Sequence, residues 1–561
     1  MIPKKATKHD FKAGLIAIFL GALIPLSMAP FNWWPLGILS IAGFSVLLCG
    51  QQLPKSYTNT EHTKKLFFRS LCYGLGIYAV GASWIFVSIH EYGGASVALS
   101  LLLIIPFIIF LALLLAAPVS VFAKVLRVAP TATSTTSSVN NPIFLGITML
   151  LVFPSLWTLG EWFRGWVFSG FPWLYLGYAH TDTWLSGWAP ITGALGISWI
   201  TAFCGALLGL YIRFGLLITS GKDARNEKII AGLKVPAITL SGGTLVAILF
   251  WLGGTYFQHV TWTKPTGKPL SIGLVQPALP LSIKWDPHKL PEIFHQYRTD
   301  TEKLLKNDLV IWPESAIPRF HHEVTGYLDP IVSEANDTNT ALITGIPTAE
   351  NTPNDGRDNT DSFFSSYYNS VIGLGNASGT YHKQHLVPFG EYVPFEKWLR
   401  GTIAFFDLPM SAFKSGPEKQ QPITAKGAII GTAICYEIAY SELVRKSALK
   451  ANLLLTLSND TWFGKSIGPK QHFQIARMRA IENRKPLIRA TNDGISALIT
   501  ADGKVSATIP SYRRDILEGT LEPRDGITPF GQYGSNPILL ISFFCIFMAL
   551  LRKSIWVSRT L

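Results

Sequence analysis

The stretch Ala428-Ile429-Ile430-Gly431-Thr432-Ala433-Ile434-Cys435-Tyr436-Glu437 decides how the rest of the chain is read. Its first seven residues predict a buried strand, Ser441–Lys450 carries a helical pattern, and Leu453–Leu457 is a second apolar strand. Strand, helix and strand in succession argue for an α/β layered domain. The same alternation extends outward. Strand-like runs fall at Ser271–Gln276, Leu309–Trp312, Ala341–Gly345, Ser370–Leu374, Ile488–Arg489 and Ala497–Thr500, with helical patterns at Leu290–Leu305 and Gln471–Asn483. No run in this part is long enough to cross a bilayer, so residues 267–533 are read as one globular domain.

On both sides of it the texture changes. The chain has 561 residues, 48% hydrophobic and only 15% charged, against roughly 25% charged in an ordinary soluble protein. That excludes a plain soluble enzyme, and the 12% aromatic content excludes a disordered chain. Crossing a bilayer takes about 20 apolar residues. Eight segments qualify: Leu15–Pro30, Trp34–Cys49, Leu71–Ile89, Val97–Ala123, Phe144–Phe163, Gly187–Ile212, Ala237–Phe257 and Pro537–Leu551. They predict an α-helical membrane bundle, with seven helices in residues 1–257 and a last one in 534–561. The first resembles a cleaved signal peptide ending Ser27-Met28-Ala29, but Pro30 is a poor context for cleavage and a retained helix is expected.

The net charge of +13 raises the question of nucleic acid until the basic residues are located. They sit in alternate connections: Lys4, Lys5, Lys8 and Lys12; Lys55, Lys64, Lys65 and Arg69; Lys124 and Arg127; Arg213 to Lys234; and Arg552, Lys553 and Arg559. The other short loops hold almost none except Arg164. This bias places both termini in the cytoplasm and residues 267–533 outside. Topology accounts for much of the charge, and nucleic acid is not an expected partner. Of five cysteines, only Cys435 lies beyond the apolar segments, so it is read as a free thiol.

Three positions just after strands carry possible chemistry. At the turn after its strand, Cys435 would sit near backbone N–H groups that favour a thiolate and bind an oxyanion, although a buried cysteine can also be mere packing. Glu314, in Trp312-Pro313-Glu314-Ser315, is placed to take and return a proton, or else to cap a helix. Lys383 lies in the loop Tyr381-His382-Lys383-Gln384-His385-Leu386-Val387-Pro388-Phe389-Gly390-Glu391-Tyr392-Val393-Pro394. A lysine there would lower the thiol's pKa and stabilise charge on a carbonyl oxygen. The loop's two histidines have no matching Cys/His cluster, so neither metal nor other cofactor is expected. Base, electrostatic stabiliser and nucleophile together make an acyl-transfer set.

In this order, WPES, YHKQHLVPFGEYVP and ICYE resemble the carbon–nitrogen hydrolase (nitrilase) superfamily with its Glu-Lys-Cys triad. Combined with eight expected spans, the chain resembles the bacterial apolipoprotein N-acyltransferase family. The resemblance implies an αββα sandwich for the globular domain. It also implies transfer of an acyl chain from a membrane phospholipid to the α-amine of a diacylglyceryl-modified N-terminal cysteine of an apolipoprotein, through a thioester. Cys435 would be the nucleophile, Glu314 the general base and acid, and Lys383 the oxyanion stabiliser. By the same resemblance Glu391 supports Lys383, Tyr436 and Glu437 flank the nucleophile, Trp285 handles substrate, and Asn369 lies near the site. The implied location is the inner membrane, with the catalytic domain periplasmic. Nothing demands an oligomer, and a monomer is expected.

Phe405, Phe406 and Phe413 belong to an apolar segment expected to enter the outer leaflet or cover the site. The loop Glu161–Gly187 is expected to line a lipid entrance or form an aromatic belt, with Glu161 and Arg164 spaced to pair. The alternative function is a membrane-tethered amidase or nitrilase in which water resolves the thioester. A transporter is disfavoured by the scarcity of ionisable groups in the spans.

Overall fold

A computed structural model describes residues 8–49, 59–126, 142–220, 227–350, 366–392 and 413–558. The chain forms two compact units, Met1–Ser83 with Leu101–Val260 and Tyr533–Leu561, and Trp84–Ser100 with Thr261–Gln532.

The first unit is helical. Helices occupy Lys8–Leu26, Pro35–Cys49, Asn59–Gly81, Val97–Leu126, Phe153–Arg164, Ala189–Ser220, Glu227–Gln258 and Asn536–Ser558. Among the described residues, Val97–Pro118, Leu145–Arg164, Trp184–Leu216 and Ala237–Gln258 are long and apolar enough to cross a membrane, while Pro35–Cys49 and Asn536–Leu551 are shorter apolar helices. Phe19, Leu102, Ile238 and Leu540 stand exposed on these helices, the surface a lipid solvent covers without cost. Glu161 and Arg164 are buried. Instead of bonding each other, they grip the following loop: Glu161 Oε1 accepts from Leu176 N at 2.8 Å, and Arg164 Nη1 donates to Phe171 O at 2.8 Å and to Trp173 O. Irregular backbone needs such partners where water is excluded.

The expected segment Leu71–Ile89 is broken. Its helix stops at Gly81, and Trp84–Tyr92 belongs to the second unit. The cause is local competition. Trp84 meets Phe463 edge-on at 4.7 Å, and Ser88 Oγ donates to Trp462 O at 2.7 Å.

The second unit is built from two main sheets. Its strands are β1 Leu270–Gln276, β2 Leu309–Ile311, β3 Ala341–Glu350, β4 Ser366–Gly375, β5 Ala377–Ser378, β6 Thr380–His382, β7 Ile423–Ala425, β8 Ala428–Ile434, β9 Leu453–Ser458, β10 Leu487–Thr491, β11 Ser496–Ile499, β12 Val505–Ile509 and β13 Asp515–Leu521. One sheet runs β13-β1-β2-β3-β4-β6 and the other β12-β11-β10-β9-β8-β7-β5. In each, three central strands are parallel, β1, β2 and β3 in the first and β8, β9 and β10 in the second.

Side-chain alternation sorts each strand between two cores. Leu309 and Ile311 join Ile343, Ile430, Ile434 and Leu455 between the sheets. Val310 and Trp312 point the other way, to helices Leu290–Leu304 and Thr325–Asp337. On the second sheet Leu454 and Ala433 face helices Ser441–Ala448 and Gly468–Asn483. This is the αββα sandwich, and burial on both faces explains why the central strands read as continuous apolar runs. The strands that the sequence did not reveal include β12 and β13, which lie at sheet edges with several exposed positions.

Candidate active site

Three strands of two sheets end at one place. β2 leads through Trp312-Pro313 to Glu314, β6 leads directly to Lys383, and β8 leads directly to Cys435. Clefts beyond strand ends are where layered α/β folds hold ligands. The Glu314 turn is pinned by Trp312 N to Ile343 O at 2.9 Å and Ala316 N to Gly345 O at 2.8 Å. Gly345 is required there: a Cβ would lie 2.6 Å from Pro313 O and 2.7 Å from Glu314 Cα.

Lys383 is 1% exposed and held by carboxylates. Nζ lies 2.8 Å from Glu391 and 3.6 Å from Glu314 Oε1. Asn369 ties the two acids together, Nδ2 donating to Glu314 Oε1 at 2.8 Å and to Glu391 Oε1 at 3.0 Å. The remaining oxygens are also occupied. Glu314 Oε2 accepts from Asn459 N at 2.8 Å, and Glu391 Oε2 accepts from Val387 N at 2.8 Å. Burial works against the Lys383 ammonium, but Glu391 and then Glu314 outweigh it and hold the group above the ordinary lysine range. It is a fixed positive charge.

Cys435 has φ +52°, the left-handed region that non-glycine residues rarely occupy. It opens a tight turn, Cys435–Ala439. Glu437 holds the turn: its carboxylate accepts from Ile434 N at 2.7 Å, Gln384 N at 2.6 Å and His385 N at 3.0 Å, and from Tyr381 Oη at 3.1 Å. One carboxylate thus fastens the cysteine turn to the lysine loop. Burial pushes Glu437 up to about 7, with those donors opposing it. Tyr436 is buried against Tyr440, edge to face at 5.2 Å.

The lysine was expected to make the thiol more acidic. Instead burial, and next the charge of Glu314, raise Cys435 above the usual thiol range, and Lys383 only partly offsets them. Burial and the neighbouring carboxylate thus favour the protonated sulfur over the thiolate.

Trp285 ends the short helix Leu281–Lys284 and is half-buried. It is the neighbouring Lys284 that reaches the cluster, fully buried and donating from Nζ to Glu314 O at 3.0 Å. Burial lowers Lys284 to about 8. Its only sequence signal was a lysine between Ile283 and Trp285. Asp460, His472 and Arg489 were also missed; they are buried beneath Cys435 and lie on separate elements, so no local motif joins them. Phe413 donates its N–H to Glu391 O at 3.3 Å, whereas Phe405 and Phe406 lie outside the described residues.

Residues 20–207 match the family model described as apolipoprotein N-acyltransferase N-terminal domain, and residues 272–526 match that of carbon-nitrogen hydrolase. The chain is 40% identical over 549 residues to an apolipoprotein N-acyltransferase of Pseudomonas syringae pv. tomato, covering 98% of both chains. It is 38% identical over 551 residues to the one of Azotobacter vinelandii, covering 98% of this chain and 96% of the relative. With that of Pseudomonas aeruginosa the identity is 39% over 541 residues, covering 96% of each.

Proposed function

The chain belongs to the apolipoprotein N-acyltransferase family, and from that premise we propose that Cys435 accepts an acyl chain from a membrane phospholipid and passes it to the α-amine of a lipoprotein's diacylglyceryl-cysteine. In the first half-reaction Glu314 takes the thiol proton as Sγ attacks the ester carbonyl. The Lys383 ammonium stabilises the negative charge that develops on the carbonyl oxygen. Collapse breaks the ester bond, the lysophospholipid oxygen leaves with the proton from Glu314, and a thioester remains. In the second half-reaction Glu314 takes a proton from the amine as it attacks the thioester. The amide forms, and the sulfur departs and is reprotonated. This is a ping-pong scheme.

One observation carries the reading. Glu314, Lys383, Glu391 and Asn369 form a buried cluster of hydrogen bonds and ion pairs at the turn that presents Cys435. Glu391 and Asn369 hold the lysine and the base, Glu437 holds the cysteine turn, and Tyr436 and Trp285 are assigned to substrate contact. The eight apolar segments of the sequence are assigned as spans with both termini cytoplasmic. Residues 267–533 are assigned to the periplasmic side of the inner membrane, followed by the last span in 534–561. The segment with Phe405, Phe406 and Phe413 is assigned to contact lipid, and the enzyme is taken to act as a monomer. Replacing those three phenylalanines with serine should slow transfer from vesicles.

Intact mass spectrometry after incubation with phospholipid vesicles tests the central step. An acyl mass on the wild type that is absent from Cys435→Ala is expected, and its release by a diacylated lipopeptide but not by buffer identifies transfer. Release by buffer at the same rate would make the protein a hydrolase.

A further inference from the structure

We infer that His472, oriented by Asp460 and Arg489, is a positioning device for the nucleophile that grips the backbone carbonyl of Cys435. This rests on the reading of Cys435 as the acylated residue.

The three side chains come from three elements: Asp460 from the turn after β9, His472 from helix Gly468–Asn483, and Arg489 from β10. All are at most 1% exposed. His472 Nε2 lies 3.0 Å from Cys435 O, and Nδ1 lies 3.0 Å from Asp460 Oδ1. The carbonyl only accepts a hydrogen bond, so Nε2 carries the proton given to Cys435 O, and the other ring nitrogen, Nδ1, is seated against the Asp460–Arg489 pair, 3.1 Å from Arg489 Nη2. Asp460 is itself anchored, Oδ2 accepting from Arg489 Nη2 at 2.7 Å and Oδ1 from Ser458 Oγ. The Phe463 ring meets the imidazole edge to face at 5.7 Å.

Two arguments separate this from ordinary packing. A buried ion pair gives little net stability over apolar residues of the same volume, so its cost points to a geometric task. The task is visible: Cys435 holds a strained positive φ, which persists only where the surroundings impose it. Glu437 fixes the amide on the N-terminal side, through Ile434 N. His472 fixes the carbonyl of Cys435 itself. Between them the two anchors set the direction of Sγ.

The test compares His472→Leu, His472→Gln and wild type in detergent, with thermal unfolding recorded for each. Two rates are read: acyl mass gain at Cys435 from phospholipid, and alkylation of Cys435 by iodoacetamide against pH, resolved by peptide mapping. If the carbonyl anchor aims the sulfur, His472→Leu loses about 100-fold in acylation, and its alkylation limb moves down toward that of an ordinary thiol as Sγ leaves the buried site. Glutamine keeps a donor amide and should stay within about tenfold of wild type with an unshifted limb. Should the leucine variant fail to fold, His472→Gln decides alone: a loss of 100-fold or more in a folded protein overturns the proposal. So does wild-type acylation in folded His472→Leu, or a loss matched by the fall in folded fraction with no shift of the limb. Absence of acyl mass in the wild type would instead overturn the assignment of Cys435.

Discussion

Glu391→Gln isolates the charge that keeps Lys383 and Glu314 apart. In the structure the Lys383 ammonium lies 2.8 Å from Glu391 and 3.6 Å from Glu314. At an effective dielectric of about 20 these separations correspond to gross attractions of about 6 and about 5 kcal/mol, respectively. The lysine is thus shared almost evenly and slightly favours Glu391. Removing one partner of a buried pair costs about 3–5 kcal/mol. Part should appear as lost stability and part should be recovered by Lys383 closing on Glu314. That closure is what harms the reaction, because a base drawn into a tight ion pair no longer serves the Cys435 thiol. Glutamine also has only one oxygen, whereas the carboxylate receives Lys383, Asn369 Nδ2 and Val387 N. At least one donor is therefore left facing an amide. The expected outcome is a folded protein about 2–3 kcal/mol less stable, with acyl-enzyme formation slowed about 100-fold or more, roughly 3 kcal/mol of barrier. Stopped single turnovers followed by intact mass measure the second quantity, and chemical denaturation of the purified protein measures the first. Thioester formation at the wild-type rate in a protein of wild-type stability would refute the view that Glu391 keeps base and lysine separate.

Gly345→Ala places a methyl against Pro313 O and Glu314 Cα; the backbone must shift, so stability should fall by about 1–3 kcal/mol and acylation by 10-fold or more, read by the same mass assay. For Glu437 the sign follows from a folded value of about 7 against an ordinary 4.5: both states are protonated at low pH, and the folded state is penalised progressively as pH rises through that interval, by about 3 kcal/mol at the end. Thermal unfolding of Glu437→Gln should therefore gain on wild type between pH 4.5 and 7, even though its acylation is slower because an amide cannot hold all four donors. A constant difference across that range would contradict the buried charge. Lys284→Met removes the donor to Glu314 O and should slow acylation about tenfold. The wild type should lose activity above about pH 8 as Lys284 gives up its proton, a limb that the methionine variant should lack.

Which parts were legible in the sequence follows from how each signal is encoded. Glu314 and Cys435 were readable because each closely follows an apolar strand, and strands buried on both faces announce themselves as unbroken runs; Lys383, which follows the short edge strand Thr380–His382, was readable only from the loop motif around it. The apolar helices were readable for the same reason. Strands β12 and β13 were not, since an edge strand with a wet face carries no continuous apolar signature. The expected span Leu71–Ile89 ran past Gly81 because hydropathy registers Trp84, Ile85 and Phe86 without registering that Phe463 packs on Trp84 and the Trp462 carbonyl accepts from Ser88. Lys284, Asp460, His472 and Arg489 left no local trace, because each matters through a neighbour on another element: Glu314 for Lys284, Cys435 for His472, and His472 for Asp460 and Arg489.

The thiol's protonation state shows the division most clearly. From sequence alone, a cysteine after a strand and a lysine after another suggested which group reacts and an acidified sulfur. Tertiary structure reversed the second inference. Burial and then the nearby Glu314 charge raise Cys435, and Lys383, itself paired with two carboxylates, offsets them only in part. Residue types and their order along the chain determine the chemistry available. The distances among buried charges, which only folding sets, determine which proton moves and when.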